Sequence, residues 1–168
     1  MEYKIVYSDR KTVALNIKDG ELIVRAPRRA SRRDIERIVK EYGGWIEKHL
    51  TNSIKKQRMY SSLGEENIKE LKKMAKEILP KKTAYYASLM NIDYGRITIT
   101  SAKGRFGSCS SMGNISYSYR LMLYPEEAID YVVVHELAHR KEMNHSKEFY
   151  KIVATVFPDY KERAKLLK

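Results

Sequence analysis

Through the first thirty residues, hydrophobic and polar positions alternate, a pattern that predicts β-structure. Met1-Glu2-Tyr3-Lys4-Ile5-Val6 opens the chain in this way. Val13, Leu15 and Ile17 keep the alternation, and Leu22, Val24 and Ala26 repeat it after Asp19-Gly20. An Asp-Gly pair tolerates the positive φ of a two-residue turn, so these two runs predict a tight hairpin. Pro27 ends its second strand. The period then changes. Ser31 is placed to cap a helix, with Asp34 three residues later as a short variant of the capping box. Ile35, Ile38, Val39, Tyr42, Trp45 and Ile46 follow at helical spacing, and Gly43-Gly44 predicts a break near the end. Trp45 reads as a core anchor and His49 as a surface histidine. Residues 51–64 are polar and read as a connector with some helix in its first half.

From Glu65 a second helical pattern runs through Ile68, Leu71, Met74, Ala75, Ile78 and Leu79, and Tyr85, Tyr86, Leu89 and Met90 extend it. Pro80 is expected to kink or split this helix, because it lacks an N–H and its ring meets the carbonyl one turn back. Arg96 to Thr100 predicts a short strand. After a loop, Ile115, Tyr117, Tyr119, Leu121 and Leu123 alternate and predict a strand over 115–123, so the pair forms a hairpin or meander. Tyr124-Pro125 opens a helix whose Ile129, Tyr131, Val132, Val133, Val134, Leu137 and Ala138 leave hardly any polar side. A helix of that kind lies in the middle of a core. Ser146 caps another, with Phe149, Ile152, Val153 and Val156 on one face. Phe157-Pro158 ends it, and residues 159–168 form a short basic helix.

Composition narrows the class. The chain has 168 residues, 43% of them hydrophobic and 32% charged, which suits a folded domain with a well-solvated surface. No apolar run approaches ~18 residues, so no membrane span is expected. The N-terminus lacks the basic-then-apolar order of a signal peptide, and one cysteine, Cys109, excludes an internal disulfide framework. These features point to the cytoplasm. The formal net charge of +12 gives attraction to polyanions. Arginine is densest between residues 25 and 37, where Arg28, Arg29, Arg32 and Arg33 are candidate nucleic-acid contacts. The alternative is a solvated basic face.

The predicted core helix carries His135-Glu136-Leu137-Ala138-His139. Residues four apart share a helix face, so the two imidazoles converge on one point. Zinc takes nitrogen ligands at about 2.0–2.1 Å in tetrahedral geometry. Glu136 lies about 100° round the helix from His135, which puts it beside the metal and off it. There it can take a proton from metal-bound water, whose pKa zinc lowers to about 7. His145 is the candidate third ligand. Asn144 enters the left-handed region readily, and a turn there would swing His145 back to the site. Three histidines with one open position make a catalytic zinc arrangement. The competing reading, two core histidines and a salt-bridged glutamate, buries three polar groups at a cost that nothing offsets. The spacing from His139 to His145 is also that of the metzincins, but Glu142 stands where those have glycine and no methionine follows Met143, which excludes them. Tyr117, Tyr119, Arg120 and Tyr124 are candidates to contact the substrate or stabilise an oxyanion, although each taken singly reads more readily as structural. Asp130 and Glu142 are candidates to orient the imidazoles. The strand at 115–123 is a candidate to pair with an extended peptide, with an ordinary half-buried strand as the alternative. Cys109 reads as a small buried residue in a tight loop, with a fourth-ligand role as the alternative.

These stretches resemble the YgjP-like metallopeptidase-domain family. The resemblance runs over nearly the whole chain. It is strongest at Gly107-Ser108-Cys109-Ser110, at residues 129–139, and at Asn144-His145-Ser146 with Phe149. Val24-Arg25-Ala26-Pro27 and the helix with Trp45-Ile46 also resemble the family's opening. The resemblance implies one zinc ion per chain on His135, His139 and His145, with Glu136 catalytic; it does not settle the substrate, for which a peptide or protein is the expectation. Where the family usually has tryptophan before Gly-Ser-Cys, this chain has Phe106, which keeps an aromatic ring and removes an indole N–H. The layout is also similar to SprT-like and WLM-type zincins, which suggests a protease recruited to DNA through the basic N-terminal part. The expected fold is α+β: a small β-hairpin and helix part with its connector over residues 1–60, then a zincin-like core over 61–168 with the hairpin or meander packed on the metal-binding helix. The alternative is one continuous domain. Two other functions stay open, a zinc hydrolase acting on a smaller amide and a basic nucleic-acid-associated module.

Overall fold

Asp19 and Gly20 both take positive φ, 50° and 77°, and close the expected hairpin between β2 (Ala14–Lys18) and β3 (Glu21–Pro27). In this computed structural model, which describes residues 2–168, β1 (Lys4–Ser8) adds to the other side of β3 in parallel, so the strand order is β1-β3-β2. Leu22, Val24 and Ala26 point to one face of β3 and are buried there with Ile35 and Val39 of α1 (Arg32–Glu41) and Ile46 of α2 (Gly43–Ser61). Ser31 caps α1: its Oγ accepts from the Asp34 N–H at 3.1 Å and donates to the Asp34 carboxylate at 2.6 Å. The helix breaks at Tyr42, immediately before the glycine pair. The chain divides into two compact units, Met1–Gly64 and Glu65–Lys168.

Three expectations for the first unit change. Residues 51–61 are helix, not connector. That stretch contains neither glycine nor proline, and the helix finds support on the hairpin, where the Gly20 N–H donates to Ser53 Oγ at 3.1 Å. Trp45 is no core anchor: it is 42% exposed and stacks on His49 with ring centroids 4.2 Å apart. Of the four arginines singled out, all are exposed, and two are engaged by acids, Arg28 by Asp9 at 2.9 Å and Arg32 by Glu36 at 3.4 Å.

In the second unit α3 (Glu65–Met90) passes Pro80 without splitting. Ala75, Leu79, Thr83 and Ala87, spaced four apart, are buried on both sides of the proline, and Thr83 Oγ1 donates to the Leu79 carbonyl at 2.7 Å. This packing outweighs the one backbone bond that proline forfeits. The sheet has the order β4-β6-β5, with β4 (Ile97–Thr100) parallel and β5 (Gly107–Cys109) antiparallel to β6 (Ile115–Ser118). The strand expected over 115–123 therefore ends at Ser118, and Tyr119–Leu123 form a 3-10 helix. Ser118 Oγ accepts from the Arg120 N–H at 3.3 Å and turns the chain. The alternation misled because Tyr119, Arg120 and Leu121 are all buried, the polar position included. Next come α4 (Glu126–Ala138), α5 (Lys147–Val156) and α6 (Tyr160–Lys165). As expected α4 lies in the core, its Val132, Val133, Val134 and Leu137 all buried. Lys82 of α3 bridges to Glu126 at 2.6 Å and Asp130 at 2.7 Å on α4. Asp130 thus ties two helices together and orients no imidazole. No helix among the described residues is long and apolar enough to cross a membrane.

Candidate metal centre

The last turn of α4 carries His135 and Glu136, and His139 caps its end. The chain then folds back in a short turn. The N–H groups of Arg140, Lys141 and Glu142 bond to the Leu137 and Ala138 carbonyls, and the Asn144 N–H donates to Glu142 Oε1 at 3.1 Å. Asn144 does not take the expected left-handed conformation, since among the described non-glycine residues only Asp19 and Asn91 have positive φ. Hydrogen bonds make the turn instead. Arg140 fixes it from outside, donating to the carbonyls of Asp93 and Ser111, each at 3.1 Å.

This turn returns His145 to the helix. The ligand nitrogens of His135, His139 and His145 lie within 4.8 Å of one another, and the Nε2 atoms of His135 and His145 are 3.0 Å apart. Two nitrogens about 2.0–2.1 Å from one tetrahedral ion stand roughly 3.3 Å apart, so the spacing suits a shared metal. The far side of each helical imidazole is also engaged. Tyr131 Oη lies 3.4 Å from His135 Nδ1, and His139 Nδ1–H donates to the Glu142 backbone carbonyl at 3.2 Å. These partners leave Nε2 free to face an ion. Phe149 of α5, fully buried, is the common floor, its ring centroid 4.8, 4.6 and 4.9 Å from those of His135, His139 and His145. Burial, with the neighbouring His139 and His145, pushes His135 down to about 4, and burial likewise lowers His139. Both are therefore neutral near pH 7, the form that ligates metal.

Glu136 is only 5% exposed and rests against the backbone of Gly107 at the start of β5. A Cβ on Gly107 would come within 2.6 Å of Glu136 Oε1, so the carboxylate occupies space that only glycine leaves open. Burial raises its pKa to about 7, and the charge of Arg105 opposes that rise. Above these groups opens a cleft of about 300 Å³, rimmed by Arg105, Met143 and the β5 residues Gly107, Ser108 and Cys109. Larger grooves, about 1040 Å³ beside Leu22 and Leu50 and about 880 Å³ along α3, hold no converging ligand set among the described residues, so chemistry rather than size selects the cleft.

The structure brings His135, Glu136, His139 and His145 together. It does not bring Tyr117, Tyr119, Arg120 or Tyr124 into the cleft. Tyr117 is buried with its hydroxyl 3.1 Å from Thr83 Oγ1. Tyr119 lies under the Arg120 guanidinium, which donates to the Ser101 carbonyl at 2.6 Å, and Tyr124 meets Phe106 edge-on at 4.9 Å. Glu142 does orient an imidazole, through its backbone carbonyl. Cys109 is half-buried in the cleft wall and stands outside the histidine cluster, and burial together with the Glu136 charge pushes its thiol pKa up. Sequence reasoning missed Gly107, Arg105 and Met143 as parts of the site. Only Gly107 had a signal, the resemblance at Gly107-Ser108-Cys109-Ser110, because the strand that brings its backbone against Glu136 was read as loop.

Three imidazoles and a carboxylate gathered at the end of a buried helix in an α+β unit form a candidate hydrolytic metal centre. Comparison supplies the family. The model of the YgjP-like metallopeptidase domain matches residues 52–168, more than two thirds of the chain, and the chain belongs to that family. No curated protein matches. Among solved structures, the chain is similar to the metallopeptidase zymogen abylysin of Pyrococcus abyssi, with 24% identity, coverage of 52% of this chain and 90% of that one, and a TM-score of 0.49. The zymogen jannalysin of Methanocaldococcus jannaschii is 23% identical over 51% of this chain and 88% of its own, with a TM-score of 0.45.

Proposed function

We propose that the chain is a zinc-dependent metallopeptidase in which His135, His139 and His145 hold the ion and Glu136 is the general base. The observation that carries this reading is the orientation of the imidazoles. Nδ1 is engaged on both helical histidines, and Nε2 of His135 faces Nε2 of His145, beside one buried carboxylate. Three imidazoles suit zinc best among common divalent ions. When bound, the ion supplies Lewis-acid polarisation of a carbonyl and makes water more acidic. Glu136, raised to about 7 by burial, is matched to take a proton from the attacking water near neutral pH and return it to the leaving amide nitrogen.

A peptide substrate is favoured over a small amide by β5. It is an edge strand that also lines the cleft, so an extended chain can add to it. The strand first considered for this role, β6, is paired on both sides and has no free edge.

Metal content and casein hydrolysis test the reading together. About one zinc per chain is expected in the wild type and in Glu136→Gln, and none in His139→Ala. Glu136→Gln should lose about 10²- to 10⁴-fold in hydrolysis while keeping the metal. Failure of the wild type to take up zinc would overturn the assignment.

A further inference from the structure

Among the residues that line the cleft, Arg105 is the one permanent cation, and Glu136 is the one carboxylate. Arg105 is exposed, and neither a hydrogen bond nor an ion pair within the described residues engages its guanidinium. Its backbone, by contrast, is held from both sides. Arg120 Nη1 donates to the Ser101 carbonyl at 2.6 Å, and Ser118 Oγ donates to that of Ala102 at 2.7 Å. On the other side the Ser118 N–H donates to the Phe106 carbonyl at 2.8 Å, and the Phe106 ring meets Tyr124. Between these anchors only Lys103, Gly104 and Arg105 project. The buried Arg120 therefore shapes the loop that presents Arg105. A guanidinium is a planar fork that matches a carboxylate with two parallel hydrogen bonds, and it stays charged at every working pH.

We propose that Arg105 is a specificity residue that binds a substrate carboxylate close to the scissile bond. That carboxylate is an acidic side chain or the substrate's own C-terminus. The proposal rests on the peptidase reading and deepens it. Glu136, tucked under Gly107, reaches the bond that breaks. Arg105, exposed on the rim, reaches the groups that flank it. The geometry gives acidic peptides a local partner in addition to the diffuse attraction of a chain with net charge +12.

The test separates these two attractions. A peptide library made from a whole proteome is digested with the zinc-loaded wild type, Arg105→Ala, Arg105→Glu and Lys103→Ala, in about 0.15 M salt, where diffuse fields fade beyond about 8 Å. Cut sites are mapped by mass spectrometry. A second copy of the library, amidated at its C-termini, distinguishes the sources of the carboxylate. Preference that survives amidation belongs to Asp and Glu side chains, and preference lost on amidation belongs to the terminal carboxylate. We expect cuts beside a carboxylate to be enriched about five- to tenfold in the wild type and in Lys103→Ala. Enrichment should vanish in Arg105→Ala and turn towards Lys and Arg in Arg105→Glu. Lys103→Ala removes the same charge from the same loop, so its retained preference identifies a local contact. Cleavage without enrichment, or enrichment that survives Arg105→Ala, overturns the proposal and leaves the peptidase reading standing. A uniform loss at every site in Arg105→Ala with the wild-type enrichment intact also overturns it, by confining Arg105 to the effect of its charge on Glu136. Absence of cleavage by the wild type overturns both readings.

Discussion

Gly107 has no Cβ, and a methyl group there would sit 2.6 Å from Glu136 Oε1, 2.7 Å from its Cγ and 2.8 Å from its Cδ. All three atoms belong to one side chain that burial holds in place, so Gly107→Ala must displace the carboxylate or the strand. The three atoms nearest that methyl position all belong to Glu136 and none to an imidazole. We expect Gly107→Ala to keep zinc and to lose about 10²-fold in peptide hydrolysis, since displacing a reacting group by about 1 Å costs that much. Loss of zinc in parallel with activity would show that β5 supports the histidines, contrary to this account. The contrast between Glu136 and Gly107 shows what the sequence reveals at this scale. His135, Glu136 and His139 were legible because four-residue spacing on a helix carries its own geometry. Gly107 meets Glu136 from a distant helix and Arg105 reaches the cleft from a loop, and no local spacing encodes either. Asn144 shows the reverse error: a residue suited to a left-handed turn stands in a turn closed by the Glu142 side chain instead.

Elements were legible where one period ran without a competing signal. The hairpin at Asp19-Gly20, the cap at Ser31 and the buried helix around Val132–Val134 are of this kind. They were illegible where packing overrides a local preference. Pro80 is the clearest case, a helix breaker inside one continuous helix. Its cost is still present in the folded chain, because the ring removes an N–H and crowds the carbonyl of Lys76. Pro80→Ala is therefore expected to stabilise the second unit by about 1–3 kcal/mol, read as a higher midpoint in urea with unchanged slope. A lower midpoint would mean that proline's restriction of the unfolded chain outweighs its helix cost. The tie between α3 and α4 gives a second prediction. Burial alone would lower the Lys82 pKa, but its bonds to Asp130 and Glu126 raise it above 10.5. Burial and then Asp130 raise Tyr86 from 10.0 to about 12, and burial raises Tyr117 as well. All three groups hold a proton more tightly in the folded chain than in the unfolded one. Their stabilisation is complete below the unfolded pKa values and is lost as pH rises through the folded ones. Stability should thus fall steeply between pH 10 and about 12. Equilibrium unfolding across that range checks it, and a flat profile to pH 12 would refute the tie.

At the scale of the whole molecule the two units have unequal cores. Among the described residues, six buried apolar side chains, from Leu22 to Ile46, serve Met1–Gly64, whereas twenty, from Ala75 to Phe157, serve Glu65–Lys168. A chain of roughly 60 residues buries a smaller fraction of its surface than a longer one and is correspondingly marginal. The boundary expected at residues 60–61 falls in the last turn of α2, and the family match begins inside that helix at residue 52. We propose that the units are separate folding domains and that the smaller one unfolds first. The sequence offers a direct reporter, because the single tryptophan, Trp45, lies in the smaller unit. It stacks on His49 while remaining 42% exposed, so unfolding changes its surroundings. Far-ultraviolet circular dichroism, in contrast, is dominated by the larger unit, which holds α3, α4, α5 and α6. In urea, tryptophan fluorescence should change at a lower concentration than ellipticity, and bound zinc should be released only with the second transition, since all three histidines belong to the larger unit. A fragment spanning 65–168 should then bind zinc on its own. Coincident transitions by the three probes would establish a single cooperative domain, with the hairpin and its two helices contributing to the stability of the metal site.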